Sequence, residues 1–268
     1  MSNLSLSSDV ELISVHIPKT AGSTFGRLVL PKIYPAYQIL YDYDNLSINT
    51  LIQKGLLTKE TRVIHGHFPS KKYKEYCSNA KMVIWLRNPI LLLISVYYFW
   101  FSFTDNFFDE THRYIVTNKL GFDEFLEYQS GNNVSKYFIE SLKLTDFYFV
   151  GIQEFFMDDL NELKNKLNWP MIKIDTAANR NAYQNYKEKV IDILNNQSMI
   201  EKIVSLNSTD INMYTEALRL RTKRKELSNC IEMYQLSLKE SQLRYDFYQQ
   251  YKLSQTNNLS IDDRLNIP

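Results

Sequence analysis

The chain has 268 residues, of which 44% are hydrophobic and 14% aromatic, enough to bury a full core in one large domain or in a domain with an appendage. A formal net charge of +1 provides no overall field to recruit nucleic acid or an anionic membrane surface, so any anion site must be local. The two cysteines, Cys77 and Cys230, fit neither a disulfide framework nor a cysteine metal site, and a reduced compartment is expected.

The N-terminal stretch "MSNLSLSSDVELISVHIPK" lacks a basic n-region and a long apolar run, so no signal peptide and a cytoplasmic location are expected. Short apolar runs then alternate with longer helical segments. The runs at 12–17, 62–67, 81–86, 146–152 and 171–174 are rich in Val, Ile and aromatic residues and do not alternate strictly, as in strands covered on both faces. The stretches "STFGRLVLPKIY", "PILLLISVYYFWF" and "EFFMDDLNELKNKL" read as helices between them. This order predicts an α/β fold of three layers, a central mainly parallel sheet flanked by helices, with ligands at the carboxyl ends of the strands. The apolar run around 82–103 is interrupted by Arg87-Asn88-Pro89, which argues against a membrane span.

From about residue 186 the chain reads as mostly helical, and 212–253 contains neither Gly nor Pro. Leu220, Leu227, Ile231, Tyr234 and Leu238 fall at helical spacings. A helix packed on the core is the plainer reading, and a homodimer contact through it the sharper one. The expected division is a domain over 1–220 and a helical C-terminal extension over 221–268.

Three stretches carry chemistry. In "VHIPKTAGSTFGRL" a strand runs through a turn into a helix starting near Ser23, aiming backbone N–H groups at the turn. Lys19 adds a charge, Thr20, Ser23 and Thr24 add hydroxyls, and Gly22 permits close approach or an unusual dihedral. A Walker loop places its lysine after the glycines, whereas Lys19 precedes Gly22. In "IWLRNPILLLISVYYFW", Asn88 can cap a helix with Pro89 at its first position. Arg87 then stands at a strand end suited to bidentate phosphate recognition, and Ser95 lies two turns into the helix. In "VIHGHFP", His65 and His67 share a face if the strand continues that far, and a base near neutral pH is the better functional reading. No further ligand stands nearby to complete a metal shell. His16 and His112 read as satisfied structural histidines.

These residues resemble the sulfotransferases that use 3'-phosphoadenosine 5'-phosphosulfate (PAPS). "HIPKTAGST" is similar to their 5'-phosphosulfate loop, "LRNPILLLISVYYF" to their 3'-phosphate motif, and "HGHFP" to the histidine segment of the uronyl 2-O-sulfotransferase branch. Weaker echoes are "FVGIQEFFMDDL" and "LNSTDINMYTEAL", so the resemblance spans about residues 12 to 220. It implies a sulfuryl donor, PAPS, held by Lys19, Thr20, Ala21, Gly22, Ser23 and Thr24, with Lys19 near the bridging oxygen and the 3'-phosphate on Arg87 and Ser95. It also implies His67 as the general base, His65 as a supporting or alternative base, a carbohydrate or glycolipid acceptor, and no metal. Asn88 and Leu92 replace the acidic residue and second arginine of the "RDPxxR" found in many relatives. The acceptor segments, about 34–60 and 101–145, match no motif. Tyr41, Tyr43, Trp100 and Asn106 there are candidates to stack on or hydrogen-bond a sugar. A nucleotide-dependent phosphotransferase and a non-catalytic nucleotide-binding interaction protein are the competing readings.

Overall fold

The structure is a computed structural model that describes residues 9–74, 76–103, 107–129, 134–174 and 183–225. Five strands, β1 (Leu12–Val15), β2 (Ile39–Asp42), β3 (Val63–Gly66), β4 (Lys81–Leu86) and β5 (Phe149–Ile152), form one sheet in the order β2-β3-β1-β4-β5. All four pairings are parallel. The fold is therefore α/β, a parallel central sheet flanked by helices, as the alternation of apolar runs predicts. After β1 the chain crosses to β2, and after β4 it moves the other way to β5. The loops after β1 and β4 thus leave adjacent strands at the point where the strand order switches, the place where such sheets bind ligands.

The described residues fall into two compact units, Met1–Arg87 with Asn132–Asn179, and Asn88–Gly131 with Arg180–Pro268. In the first, a helical run follows β1: α1 (Gly22–Thr24), a wide π-type turn over Phe25–Val29 and a 3-10 turn over Leu30–Lys32. Phe25, Val29 and Leu30 from this run bury themselves with Leu12, Val63, Val83, Trp85 and Phe149 of the sheet and with Leu160 and Leu163 of α7 (Phe156–Lys166). Helices α2 (Ile48–Gln53) and α3 (Ser70–Lys74) complete the unit's α-helices among the described residues.

Two differences from the expected strands have physical causes. β2 lies in a segment read only as part of the acceptor region, and it ends on the carboxylate of Asp42. That carboxylate is 2% exposed and is neutralised by Lys72 and by the Tyr73 hydroxyl at 2.9 Å. The run 171–174 is not a strand; Ile172 and Ile174 pack against the core cluster and the Lys173 carbonyl accepts from Lys32. Alternating apolar residues can serve packing without backbone pairing.

The second unit is helical. In α4 (Pro89–Trp100) the Asn88 side chain accepts from the N–H groups of Ile90 and Leu91 at 3.0 and 3.4 Å, the expected cap with proline behind it. Helices α5 (Glu110–Thr117), α6 (Phe122–Gln129), α8 (Tyr186–Leu194), α9 (Gln197–Leu206) and α10 (Ser208–Arg224) accompany it, around Ile94, Ile115, Phe125, Val190 and Ile203. The expected boundary between residues 220 and 221 falls inside α10. Most of the C-terminal extension, with Cys230 and the homodimer surface expected there, lies outside the described residues, as does Asn106. No helix among the described residues is long and apolar enough to cross a membrane.

Gly66 is the tightest backbone position in the sheet: a methyl there would fall 1.9 Å from the Asp42 carbonyl oxygen of the adjacent strand. The obstacle is backbone, not a movable side chain. Gly66→Ala should therefore cost about 3 kcal/mol, at the upper end of ordinary overpacking, measured by urea unfolding. Wild-type stability in this variant would show that β2 and β3 are not paired in this register.

Candidate active site

The site begins with strand register. β1 and β3 pair Ser14 with His65, and β2 and β3 pair Tyr41 with His65. The ladder runs one step further, because the His16 N–H donates to the Gly66 carbonyl at 2.8 Å and the His67 N–H to the Asp42 carbonyl at 2.9 Å. Side chains two apart share a face. Ser14 and His16, His65 and His67, and Tyr41 and Tyr43 therefore form a polar layer on one face at the carboxyl ends of three neighbouring strands. Deeper on that face the same strands carry Leu12, Val63 and Ile39, which join the core.

The three histidines make one cluster. His16 stacks on His65 with ring centroids 5.0 Å apart and meets His67 at 4.5 Å, tilted by 59°. Tyr43 sets its ring edge-on against His67 at 5.0 Å. His65 is fully buried, and its Nδ1 lies 2.9 Å from the Ser14 hydroxyl. His16 is buried, and only His67 of the three is partly exposed. By sequence His16 reads as structural. The signal that finds it is parity across strands, which needs the register. His112, which reads the same way, is held on both nitrogens: Nδ1 accepts the Phe108 N–H at 3.1 Å and Nε2 donates to the Trp100 carbonyl at 2.9 Å.

The helical run lies over this layer, and glycines decide how closely. A methyl on Gly22 would fall 1.8 Å from the His16 ring, and one on Gly26 would fall 2.3 Å from His65 Nε2. Gly22 thus serves close approach, while the unusual dihedrals fall on its neighbours: Lys19 and Ala21 have φ of 64° and 68°. Non-glycine residues rarely adopt the left-handed region, and strain of this kind clusters at functional turns. The helix starts at Gly22, near Ser23 as expected, with Ala21 in the N-cap position and no side-chain cap. The Thr20 hydroxyl is buried and donates to the Ile17 carbonyl at 2.8 Å, closing the turn. Ser23 is half-buried and Thr24 buried in the first helical turn.

Arg87, at the end of β4, ties the loop down by donating from Nη1 to the Lys19 carbonyl at 3.0 Å. It is 4% exposed, and its Nε has no hydrogen-bond partner in the protein. Burial, with the Arg87 charge behind it, pulls the Lys19 amine down to about 8. Two cations pressed together at a strand–loop–helix junction form a donor set for an anion, which would relieve both the repulsion and the open Nε. Ser95 is fully buried in α4, which belongs to the second unit. Lys19, Arg87, His65 and His67 all belong to the first.

Arg27 follows Gly26 on the helical run and is exposed. Tyr41 donates to the Gly26 carbonyl at 2.8 Å and stacks on Tyr43, rings 6.1 Å apart and 9° from parallel. Among the described residues no group of three or more His, Cys, Asp or Glu is arranged to hold a metal ion.

No protein-family model matches the chain, and no curated protein matches it. A solved structure to which it is similar is that of mouse sulfotransferase SULT7A1 complexed with PAP, with a TM-score of 0.40 and 16% identity, covering 76% of this chain and 69% of that one. A likeness of this size says nothing about activity.

Burial, and then the neighbouring His67, pulls His65 down to about 3; burial brings His67 to about 4 and holds His16 well below its usual value. These histidines bind protons more weakly folded than unfolded, so unfolding takes protons up below about pH 6.5. The stability they contribute is full above that pH and is lost as pH falls toward 4 and 3. Buried His65 alone sets a slope of about 1.4 kcal/mol per pH unit near pH 5, which His65→Gln should remove from the slope of the wild type. Urea unfolding between pH 7.5 and 5 measures both slopes. An unchanged slope in His65→Gln would show that His65 is not held neutral.

Proposed function

We propose that the chain is a sulfotransferase that moves a sulfuryl group from PAPS to a hydroxyl of a carbohydrate or glycoconjugate acceptor. The observation that carries this reading is the meeting of the Lys19–Arg87 anion donors with a neutral histidine cluster at the strand ends. Gly22 of the loop lies against the His16 ring, whose centroid is 4.5 Å from that of His67, and this closeness supports reading the anion loop and the base as one site. Lys19 and the loop N–H groups hold the sulfated end, and the open donor of buried Arg87 suits the 3'-phosphate that the sequence motif assigns to it. When bound, PAPS supplies a sulfuryl group on a phosphate leaving group.

His67 is the histidine an acceptor can reach. Its Nε2 is cut off from solvent without a partner, so Nδ1 is left to take the hydroxyl proton. A low proton affinity keeps that nitrogen bare at neutral pH, and a bound anion raises it toward the range a base needs. His65, fully buried and hydrogen-bonded to Ser14, supports the ring layer from beneath. Beside His67, the stacked Tyr41 and Tyr43 offer a partly exposed aromatic surface of the kind a sugar ring packs on.

Adenosine 3',5'-bisphosphate without divalent metal should raise the thermal midpoint of the protein, and ATP with Mg²⁺ should not. Arg87→Ala should weaken the bisphosphate by about 2–4 kcal/mol in calorimetry, the range for losing a buried charged partner. It should affect adenosine 5'-phosphosulfate, which has no 3'-phosphate, far less. Equal losses for both ligands would remove Arg87 from the 3'-phosphate.

Labelled-sulfate transfer onto a panel of oligosaccharides and glycolipids tests the reaction itself. His67→Ala should lower kcat by about 10²–10⁴-fold while nucleotide affinity stays near that of the wild type. Wild-type turnover in that variant would rule His67 out as the base.

A further inference from the structure

His16 has no role in the resemblance or in the reaction as described, yet it sits at the centre of the site. It is 5% exposed, enclosed by Gly22, His65, His67 and the edge of Tyr43, and its Nδ1 has no hydrogen-bond partner. The Nε2 of His67 is likewise buried without a partner. A buried imidazole nitrogen left unpaired costs free energy comparable to a lost hydrogen bond, and such groups in folded proteins call for an explanation. Here two of them belong to rings 4.5 Å apart, held on adjacent strands by the β1–β3 register.

We infer that His16 is a positioning residue for His67: its Nδ1 is the acceptor for His67 Nε2–H once His67 has taken the acceptor proton. This rests on the reading of His67 as the base. In the resting state no hydrogen bond joins the two rings, and both are neutral. The acceptor hydroxyl gives its proton to His67 Nδ1 as the new sulfur–oxygen bond forms and the sulfur–oxygen bond to the donor's 5'-phosphate breaks, its electron pair leaving with the phosphate oxygen. The imidazolium then carries N–H on both nitrogens, and the inward one donates to His16 without a second proton leaving the ring. A hydrogen bond to an ionised donor is about twice as strong as a neutral pair, so the contact is worth more in the transition state than before it. His16 thus does for His67 what a carboxylate does for a triad histidine, orienting the ring and stabilising its charged form, but without a charge of its own. The remaining groups facing this pair explain why a neutral acceptor suits the place. His65 stacks from the same strand as His67, Tyr43 closes the β2 side, and Arg27 and Lys19 act on His16 from the loop and helical run. A carboxylate in that position would pair with these cations and compete with the donor's anion.

Imidazole ¹⁵N NMR on the full chain at pH 7.5, alone and with adenosine 3',5'-bisphosphate, tests this without turnover. Both His16 and His67 should be Nε2–H tautomers, leaving His16 Nδ1 bare. A proton on Nδ1 of either ring overturns the proposal. In transfer assays His16→Phe, which keeps a ring and removes the acceptor, should lower kcat about 10- to 100-fold with donor KM unchanged. The acidic limb of its pH–rate profile should move down by about one pH unit or more. His16→Asn, whose Oδ1 takes the place of Nδ1, should restore most of the rate. Wild-type kcat in His16→Phe, or an equal loss in His16→Asn, overturns the role. Should the phenyl ring not fit against Gly22, the tautomers of the wild type decide alone. Absence of sulfuryl transfer by the wild type would instead remove the proposed function, and the tautomers would still report on the His16–His67 pair.

Discussion

The constraint on which the rest of the site depends is the parallel register of β2, β3 and β1. Because side chains alternate with a period of two, a slip by one residue would turn the whole polar layer to the opposite face. In the observed register Tyr41, His65 and Ser14 stand level, and one step on Tyr43, His67 and His16 stand level above them. The same period puts Ile39, Val63 and Leu12 beneath, in the core. Each strand is thus apolar at its amino end and polar at its carboxyl end on a single face. Parallel pairing brings those carboxyl ends together, which an antiparallel sheet would not.

A layer of histidines inside a fold is expensive unless something closes over it tightly enough to keep the rings neutral and in place. The helical run from Gly22 does so, and it comes close only because two positions facing the layer carry no side chain. Gly22 admits the ring of His16 and Gly26 that of His65, four residues apart and so on one side of the run. The turn that feeds the run is strained at Lys19 and Ala21 and is pinned by Arg87 and by the Thr20 hydroxyl. Strain, two neighbouring cations and unpaired ring nitrogens gather in one region, while the core beneath is packed with aliphatic and aromatic side chains. Such a distribution is what a binding site held by a rigid sheet looks like.

Asp42 shows how the opposite face is secured. Its side chain lies on the other side of β2 from Tyr41 and Tyr43 and collects the Lys72 amine, the Tyr73 hydroxyl and the Leu46 N–H. That network pins the end of the strand bearing the tyrosines, and Gly66 makes room for the Asp42 carbonyl beside it. The edge of the polar layer therefore depends on a buried carboxylate that touches none of it.

Much of this was legible in the order of residues. Short branched and aromatic runs between helical stretches determined an α/β fold with a parallel sheet, since strands covered on both faces need not alternate. Lys19 before Gly22, Arg87 before Asn88-Pro89 and the spacing of His65 and His67 marked three segments as candidates, and the structure brings Lys19 and Arg87 into contact and His65 and His67 onto one face. Asn88 and Pro89 set the start of α4 by local chemistry alone. The tertiary structure decided what depends on partners distant in sequence. β2 ends on Asp42, whose burial is possible only because Lys72 and Tyr73, some thirty positions on, meet it. Residues 171–174 looked like a strand because alternating isoleucines serve packing as well as pairing. His16 looked structural because a lone histidine shows no function; its place beside His65 and His67 exists only once β1 and β3 pair in register, a relation between residues some fifty positions apart that no local pattern encodes.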